Sequence, residues 1–404
     1  MAKTIVDVHV LQTVPPSNLN RDDTGSPKTA YFGGVLRSRV SSQAWKRATR
    51  LAFEDLLSPQ ELGTRTKRVA KFIADRIQQL DATVPEQKAW ELAAHTVTTA
   101  TGSKIEAPKR KSKSTGEDGA DASVDPESAY LMFLSARQRD ALAELALEGS
   151  DDIATFFKDK DAKQRAKRLA NTHHSVDIGL FGRMVADGAD VNVDAAAQVA
   201  HALSVHAIEP DSDYYTAVDD LKDRSDPGAG MIGAIEFNSA TLYRYAAVDV
   251  DQLQRNLGAG LREDEDSAQP VRRAVEAFLR GFVESLPSGK VNTFGNNTLP
   301  EAVVVKVRTR RPLSFVSAFE EPVQAGTDGA DTSAGYLRSA CERLARHVPQ
   351  LETAYGADAN AGTETWVMRV GEATAALAHL GREVTLPQLV EQAGTAAARP
   401  AEAR

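Results

Sequence analysis

The hydrophobic pattern changes period twice along the 404 residues, and that limits the architecture more than any single motif. Lys3 to Gln12 (KTIVDVHVLQ) sets Ile5, Val6, Val8 and Val10 in a strand-like alternation. From Ser41 to Ala170 the patterns are helical, at 41–57, 64–80, 85–100, 135–147 and 151–170. After Asn171 strand-like texture returns at 175–185, 195–206 and 235–245, then at Glu301 to Thr309 (EAVVVKVRT) and at 363–370. Further helices are expected at 250–257, 270–285, 332–355 and 386–398. Strands and helices intersperse without a regular βα repeat, so the expected class is α+β rather than a doubly wound sheet.

Three stretches stand outside this pattern. Thr13 to Gly34 is rich in Pro, Asn, Asp and Gly and reads as a long loop. Ser103 to Pro126 lacks aromatic and almost all large apolar residues and reads as a mobile loop. Ala207 to Ala234 holds Pro210, Pro227, Gly228, Gly230 and Gly233, and an excursion of that length inside a compact domain is usually functional.

Several function classes drop out. The single cysteine, Cys341, excludes a disulfide framework and any Cys-based zinc cluster. No apolar run approaches the roughly 20 residues needed to span a bilayer, and the N-terminus has no signal-peptide core, so the expected location is cytoplasmic with no membrane partner. There is no P-loop, G-x-S-x-G, H-E-x-x-H or Gly-rich dinucleotide turn. No catalytic residue, metal or cofactor is expected. Asp22–Asp23 and Asp219–Asp220 read as turn formers rather than ion ligands, and His173–His174 as a solvated turn.

The formal net charge is -8, but residues 1–50 carry eight Lys/Arg against three Asp/Glu, so the remainder sums to -13. Local charge decides whether phosphate can bind. On a helix from Ser41 to Leu57, Gln43, Lys46, Arg47 and Arg50 share one face, while Ala44, Ala48 and Leu51 would pack. The bases come first and Glu54 and Asp55 last, the reverse of what the helix dipole favours. That order suits an anion docked where free amides, the Ser41 and Ser42 hydroxyls and the cations converge. Arg37 and Arg39 alternate on the extended segment before it and point to one side, next to a flexible Gly33–Gly34.

Weaker basic clusters follow. Lys104, Lys109, Arg110, Lys111 and Lys113 lie on the long loop, where a basic arm can follow a phosphate backbone. Lys158 to Arg168, and Lys306, Arg308, Arg310 and Arg311, read as solvated surface. Phe181, Arg183 and Met184 offer an aromatic, a cation and a flexible apolar group close together, and Tyr214 and Tyr215 lie on the Gly-rich excursion. Such groups can stack on or wedge between bases.

These residues resemble a known family. VDVHVLQTVPPSNLNRDDTGSPKTAYFGGVLRSRVSSQAWKRATR is similar to the N-terminus of the backbone subunit of the type I-E CRISPR Cascade complex, the CasC family of the RAMP superfamily. VDIGLFGRM, AQVAHALSVHAIEPDSDYYTAVDDL and EFNSATLYRYA continue the resemblance in order. It implies a right-hand shape. The palm would be RNA-recognition-motif-like (ferredoxin-like), from 1–50 and 171–404. Helical fingers would span 51–170, and a thumb 206–236. It also implies a non-catalytic subunit that polymerises head to tail along a CRISPR RNA, kinks it at intervals and presents it for pairing with target DNA. The other Cascade subunits, CasA, CasB, CasD and CasE, would be partners.

By the same resemblance, Asn20, Arg21, Lys28, Ser41, Gln43, Lys46, Arg47 and Arg50 would grip RNA phosphate and sugar, largely without regard to sequence. Met184 would wedge beside kinked bases, and Tyr214, Tyr215 and Met231 would act on the thumb. The Lys104–Lys113 cluster would guide duplex DNA. Two other readings stay open. Related subunits of type III complexes cut RNA with an acidic residue, a role Asp22 or Asp23 could fill. A plain anion-binding domain would take mononucleotides.

Overall fold

The computed structural model describes residues 3–106, 127, 128, 130–185, 191–217, 231–258, 268–325, 335–356 and 362–399. They form two compact units. One holds Met1–Leu56, Ala197–Val250 and Val275–Arg404, and the other Leu57–Ala196 and Asp251–Ala274.

The first unit opens with β1 (Ile5–Ser17), β2 (Thr29–Phe32), β3 (Val35–Val40) and α1 (Ser42–Leu56). The second unit follows with β4 (Gly63–Thr66), α2 (Val69–Leu80), α3 (Glu86–Thr101), β5 (Ile105–Glu106), β6 (Glu127–Ser128) and β7 (Met132–Ser135). It continues with α4 (Ala136–Glu148), α5 (Ile153–Phe156), α6 (Lys160–Ala170) and α7 (Val176–Phe181). The chain returns to the first unit for β8 (Ala197–Val199), β9 (Ala202–Ser204), β10 (Asp211–Ala217) and β11 (Met231–Asp249). α8 (Val250–Gly258) and the first turns of α9 (Ala268–Glu284) belong to the second unit. The rest of α9, α10 (Val291–Phe294), β12 (Ala302–Arg308), α11 (Tyr336–Ala354), β13 (Glu364–Arg369), β14 (Arg382–Glu383) and α12 (Leu386–Ala398) complete the first.

The sheet runs β14-β13-β12-β1-β11-β9-β3-β2, with β8 and β10 also pairing β11. Among the described strands of this sheet, only β13 and β14 run parallel. The expected α+β class holds in this mixed, mostly antiparallel form. β1 is buried over its first eight residues, so the sheet is covered on both faces. Burial of both faces puts Asp7, His9 and Gln12 in the core, where each finds hydrogen-bond partners, although His9 Nε2 has none among the described residues. Asp7 accepts from the Tyr245 hydroxyl (2.8 Å), Arg308 Nε (2.8 Å) and the Leu313 amide (3.1 Å). His9 Nδ1 bonds the Tyr243 hydroxyl (2.9 Å), and its ring stacks on Phe315 at 4.3 Å. Lys306 and Arg308, expected at the surface, are buried and share Glu352.

Three expectations at the element level change. The loop expected at 13–34 is strand on both sides of a shorter loop at 18–28: β1 runs on to Ser17, and β2 and β3 form a hairpin whose two-residue turn is Gly33–Gly34. Both glycines have positive φ, and a Cβ on Gly33 would collide with the Glu320 carbonyl oxygen, so this turn is fixed rather than flexible. The strand expected at 175–185 is the helix α7. It is buried on every side, which erased the helical period, and Gly179 lets Leu253 and Leu257 lie against it. Residues 171–196 group with the helical unit rather than with the sheet. Asn256 fastens them there by donating to the Gly179 and Asp194 carbonyls, both at 2.8 Å.

The helical unit has its own core, in which Ile73, Ile77, Leu92, Val97, Leu142, Leu145 and Ile153 are central. No helix among the described residues is long and apolar enough to cross a membrane.

Candidate nucleic-acid interface

α1 has no acid in its first turn. Its core face is Trp45, Thr49 and Phe53, not the expected Ala44, Ala48 and Leu51, and Leu51 is 44% exposed. Trp45 sets this orientation. Its ring lies under the Arg244 guanidinium at 3.7 Å and edge-on to Phe282. Arg244 itself is buried, donating to Gln12 Oε1 (2.6 Å) and to the Phe282 carbonyl, and burial pulls its pKa down to about 9.

With α1 turned this way, Gln43 and Arg47 are exposed, while Ser42, Lys46 and Arg50 are half-buried. Lys46 sits at the rim of the core face, beside the direction of Phe53. Loss of water lowers its pKa, and it has no hydrogen-bond or ion-pair partner among the described residues. A half-buried ammonium without a partner is costly until an anion completes it.

The loop before α1 is stitched to it by a chain of bonds. The Ser41 amide donates to Asn20 Oδ1 (2.9 Å), the Lys28 amide to the Asn20 carbonyl (2.9 Å), and the Arg39 amide to the Lys28 carbonyl (2.9 Å). Ser41 is buried, and its hydroxyl caps the helix by accepting from the Ala44 amide (3.3 Å). Asn20, Lys28, Arg39 and Ser41 therefore sit together beside the first turn of α1. Arg21 lies in the same loop, paired across a bridge with Pro27, and is exposed. Asp22 Oδ1 accepts from the Thr24 hydroxyl (2.7 Å) and from the Thr24 and Ser26 amides, and the hydroxyl bond first of all holds its pKa below the usual carboxylate range.

Asn18 ties this loop to the foot of a β-ribbon, donating to the Gly25 and Glu236 carbonyls, both at 3.0 Å. The ribbon is β10 paired with the start of β11, and it carries Tyr214, Tyr215 and Met231, all exposed. Successive strand residues point to opposite faces, so Tyr214 and Tyr215 do not act together. Tyr215 shares a face with Met231 and lies over Gly233, where a Cβ would stand 2.4 Å from its Cζ.

Two residues expected at the interface are structural. Arg37 is fully buried and donates to four backbone carbonyls, those of Phe32, Ser204, Phe319 and Glu320, at 2.9–3.1 Å. Arg183 donates to the Val191, Phe133 and Ala170 carbonyls and to Gln138 Oε1, and burial pulls its pKa down to about 10. A cation so enclosed cannot reach a phosphate. Arg183 instead anchors an extended bridge with Val193, from which its neighbour Met184 projects at 84% exposure. Phe181, Arg183 and Met184 belong to the second unit, as does the exposed Lys104. His174 is half-buried and bonded to Gln138 Nε2 rather than solvated, and burial pushes it down to about 4. Lys109, Arg110, Lys111, Lys113, Asp219 and Asp220 lie outside the described residues.

One neighbour of the site escaped the sequence reading. His201 Nδ1 lies 3.2 Å from Arg39 Nη1, at the step between β8 and β9. Nothing in the sequence ties His201 to Arg39. The β3–β9 pairing does, by setting Arg39 opposite Leu203 and Val40 opposite Ala202.

No curated protein sequence matches the chain. Among solved structures, it resembles a chain of a "CRISPR RNA-guided surveillance complex, pre-nicking" at 35% identity and a TM-score of 0.77, covering 97% of this chain and all of that one. A chain of a second "CRISPR RNA-guided surveillance complex" matches at 31% identity and a TM-score of 0.69, covering 97% of this chain and 99% of that one. The family model described as CT1975-like protein matches residues 6–392, and the chain belongs to the CT1975-like family.

Proposed function

We propose that the chain is the CRISPR RNA-binding backbone subunit of a type I-E Cascade complex, of the CasC kind. It grips the guide RNA by phosphate and sugar, stacks head to tail with further copies, and presents the RNA to target DNA in company with CasA, CasB, CasD and CasE. It is a cytoplasmic, non-catalytic scaffold. The observation that carries this reading is the half-buried Lys46, without a partner among the described residues, beside the stitched Asn20–Ser41 loop, in a chain so similar to members of RNA-guided complexes.

Topology supports an RNA-recognition-motif-like palm. Read along the chain as β1, α1, β9, β11, α9 and β12, the central strands lie in the order β12-β1-β11-β9, the ferredoxin-like arrangement. In this reading the ribbon is the thumb, the helical unit the fingers, and Lys104 the described end of a DNA-guiding loop. The sheet face that carries His9 and Tyr243 is closed, because Phe315, Phe319, Leu344 and Val348 cover it. Bases cannot stack there as they do on an open sheet. The cations gathered beside α1 and its preceding loop remain accessible. The alternative, a metal-dependent endoribonuclease using Asp22 or Asp23, finds little support at Asp22, whose carboxylate is engaged in holding its own turn.

The test is RNA affinity as a function of salt. A chain with Lys46→Glu and Arg47→Glu should keep its melting temperature within about 2 °C, since neither residue is in the core. It should lose RNA binding at physiological salt. With Lys46→Ala and Arg47→Ala, the slope of log affinity against log salt should shrink by about 1.4, from two lost phosphate contacts on a single strand. Unchanged affinity and slope in both variants would refute the interface.

A further inference from the structure

His201 is a histidine held against a cation, with no carboxylate bonded to either among the described residues. The Arg39 guanidinium is fixed on one side, where Nε donates to the Thr29 carbonyl at 3.0 Å. Its Nη1 meets His201 Nδ1 at 3.2 Å. The rest of the guanidinium fork has no protein partner among the described residues. The charged groups that act on His201 are Arg39 on β3 and Lys28 just before β2, both cations. His201 is exposed, so its ring is open to a ligand.

We propose that His201 is a further ligand of the RNA backbone, binding phosphate as an imidazolium beside Arg39 and Lys28, so that the grip on RNA tightens as pH falls. This rests on the RNA-binding reading above. In the free protein a neutral His201 accepts a hydrogen bond from Arg39 through Nδ1, and the two hold each other in place. A proton from solvent on Nδ1 would set one N–H against another. Partial loss of water around the ring first, and then the Arg39 and Lys28 charges, hold the His201 pKa below its usual value. A phosphate between the three groups reverses the balance. Its charge stabilises the imidazolium, and both ring and guanidinium turn donors toward it.

The sign follows by linkage. The His201 pKa is higher in the RNA complex than in the free protein, so the complex holds more protons between the two values. Affinity then rises as pH falls through the bound pKa and levels off below the free pKa. Each unit of difference is worth about tenfold in affinity.

The experiment measures the dissociation constant of the full chain for a fluorescently labelled single-stranded RNA from pH 5.5 to 8, at fixed ionic strength. The wild type is compared with His201→Gln and His201→Arg. The wild type should bind about tenfold more tightly at the acid end. His201→Gln should lose most of that gain and match the wild type at pH 8. His201→Arg should bind tightly at every pH. RNA binding with the same pH profile in His201→Gln as in the wild type overturns the role of His201 and leaves the interface standing. Failure of the wild type to bind RNA at any pH overturns the interface, and this inference with it.

Discussion

At the scale of single residues, burial separates cations that read alike in the sequence. Arg37 and Arg39 stand two apart on β3, and alternation sends both to one side, yet they end in different surroundings. Arg37 bridges the β2–β3 turn, β9 and the Phe319–Glu320 segment through carbonyl bonds, and burial lowers its pKa. Arg39 is only half-buried, and part of its fork has no protein partner among the described residues. Sequence carries no sign of this, because the carbonyls that enclose Arg37 come from residues up to 283 positions away. Arg37→Ala strands those carbonyls and should cost about 3 kcal/mol of stability. Arg37→Lys should not rescue it, since one ammonium cannot span the set. Lys28→Ala should do the opposite, weakening RNA binding severalfold with melting unchanged. Thermal unfolding and RNA titration of the three variants separate these roles. Equal melting of Arg37→Ala and the wild type would return Arg37 to the interface.

At the scale of elements, what was legible depended on whether an element has one buried face. α1, α4, α9, α12 and β12 bury one side or lie wholly inside, and their spans fall within a few residues of expectation. α7 is misread because its six residues are buried except for half-buried Phe181, too few and too evenly apolar to show a helical period. β10 was missed for the converse reason: DSDYYTA is exposed at every position, so no alternation marks it. Its existence depends on pairing with β11, which tertiary structure supplies. That ribbon has one weak point. Tyr215 covers Gly233, an aromatic laid across a glycine that lacks a side chain to pack. Gly233→Ala must displace the ring. It should impair ordered assembly on RNA while leaving the melting of the free chain within about 1 °C, since the ribbon lies outside the core. Adding Tyr215→Ala removes the obstruction and should restore assembly. Normal assembly by Gly233→Ala alone, followed by negative-stain microscopy and sizing, would remove the packed face of the ribbon from the mechanism.

At the scale of the molecule, an acidic protein binds RNA only if charge is segregated, and here the positive segment coincides with one structural locale. The net +5 of residues 1–50 is not spread over the first unit. Lys3 pairs with Asp249 and Arg37 is enclosed, which concentrates the available cations in the 20–28 loop, Arg39 and α1. Asn18 ties the foot of the β10–β11 ribbon to the same loop, so on the proposed reading grip and arm share one base. One such site on one chain can hold only a short run of phosphates. If the chain is the proposed backbone subunit, a guide longer than that run recruits further chains, and each arrival adds the same increment of charge neutralisation. Nuclease-treated protein mixed with RNAs of increasing length should form complexes whose mass, read by light scattering, climbs in steps of one chain, about 43.5 kDa each. The step should recur at a constant RNA increment, because each copy presents the same loop and the same α1. A complex of one fixed size at every RNA length would mean that the chain holds RNA as a single closed site, and the filament reading would fall while the phosphate-binding residues of α1 stood.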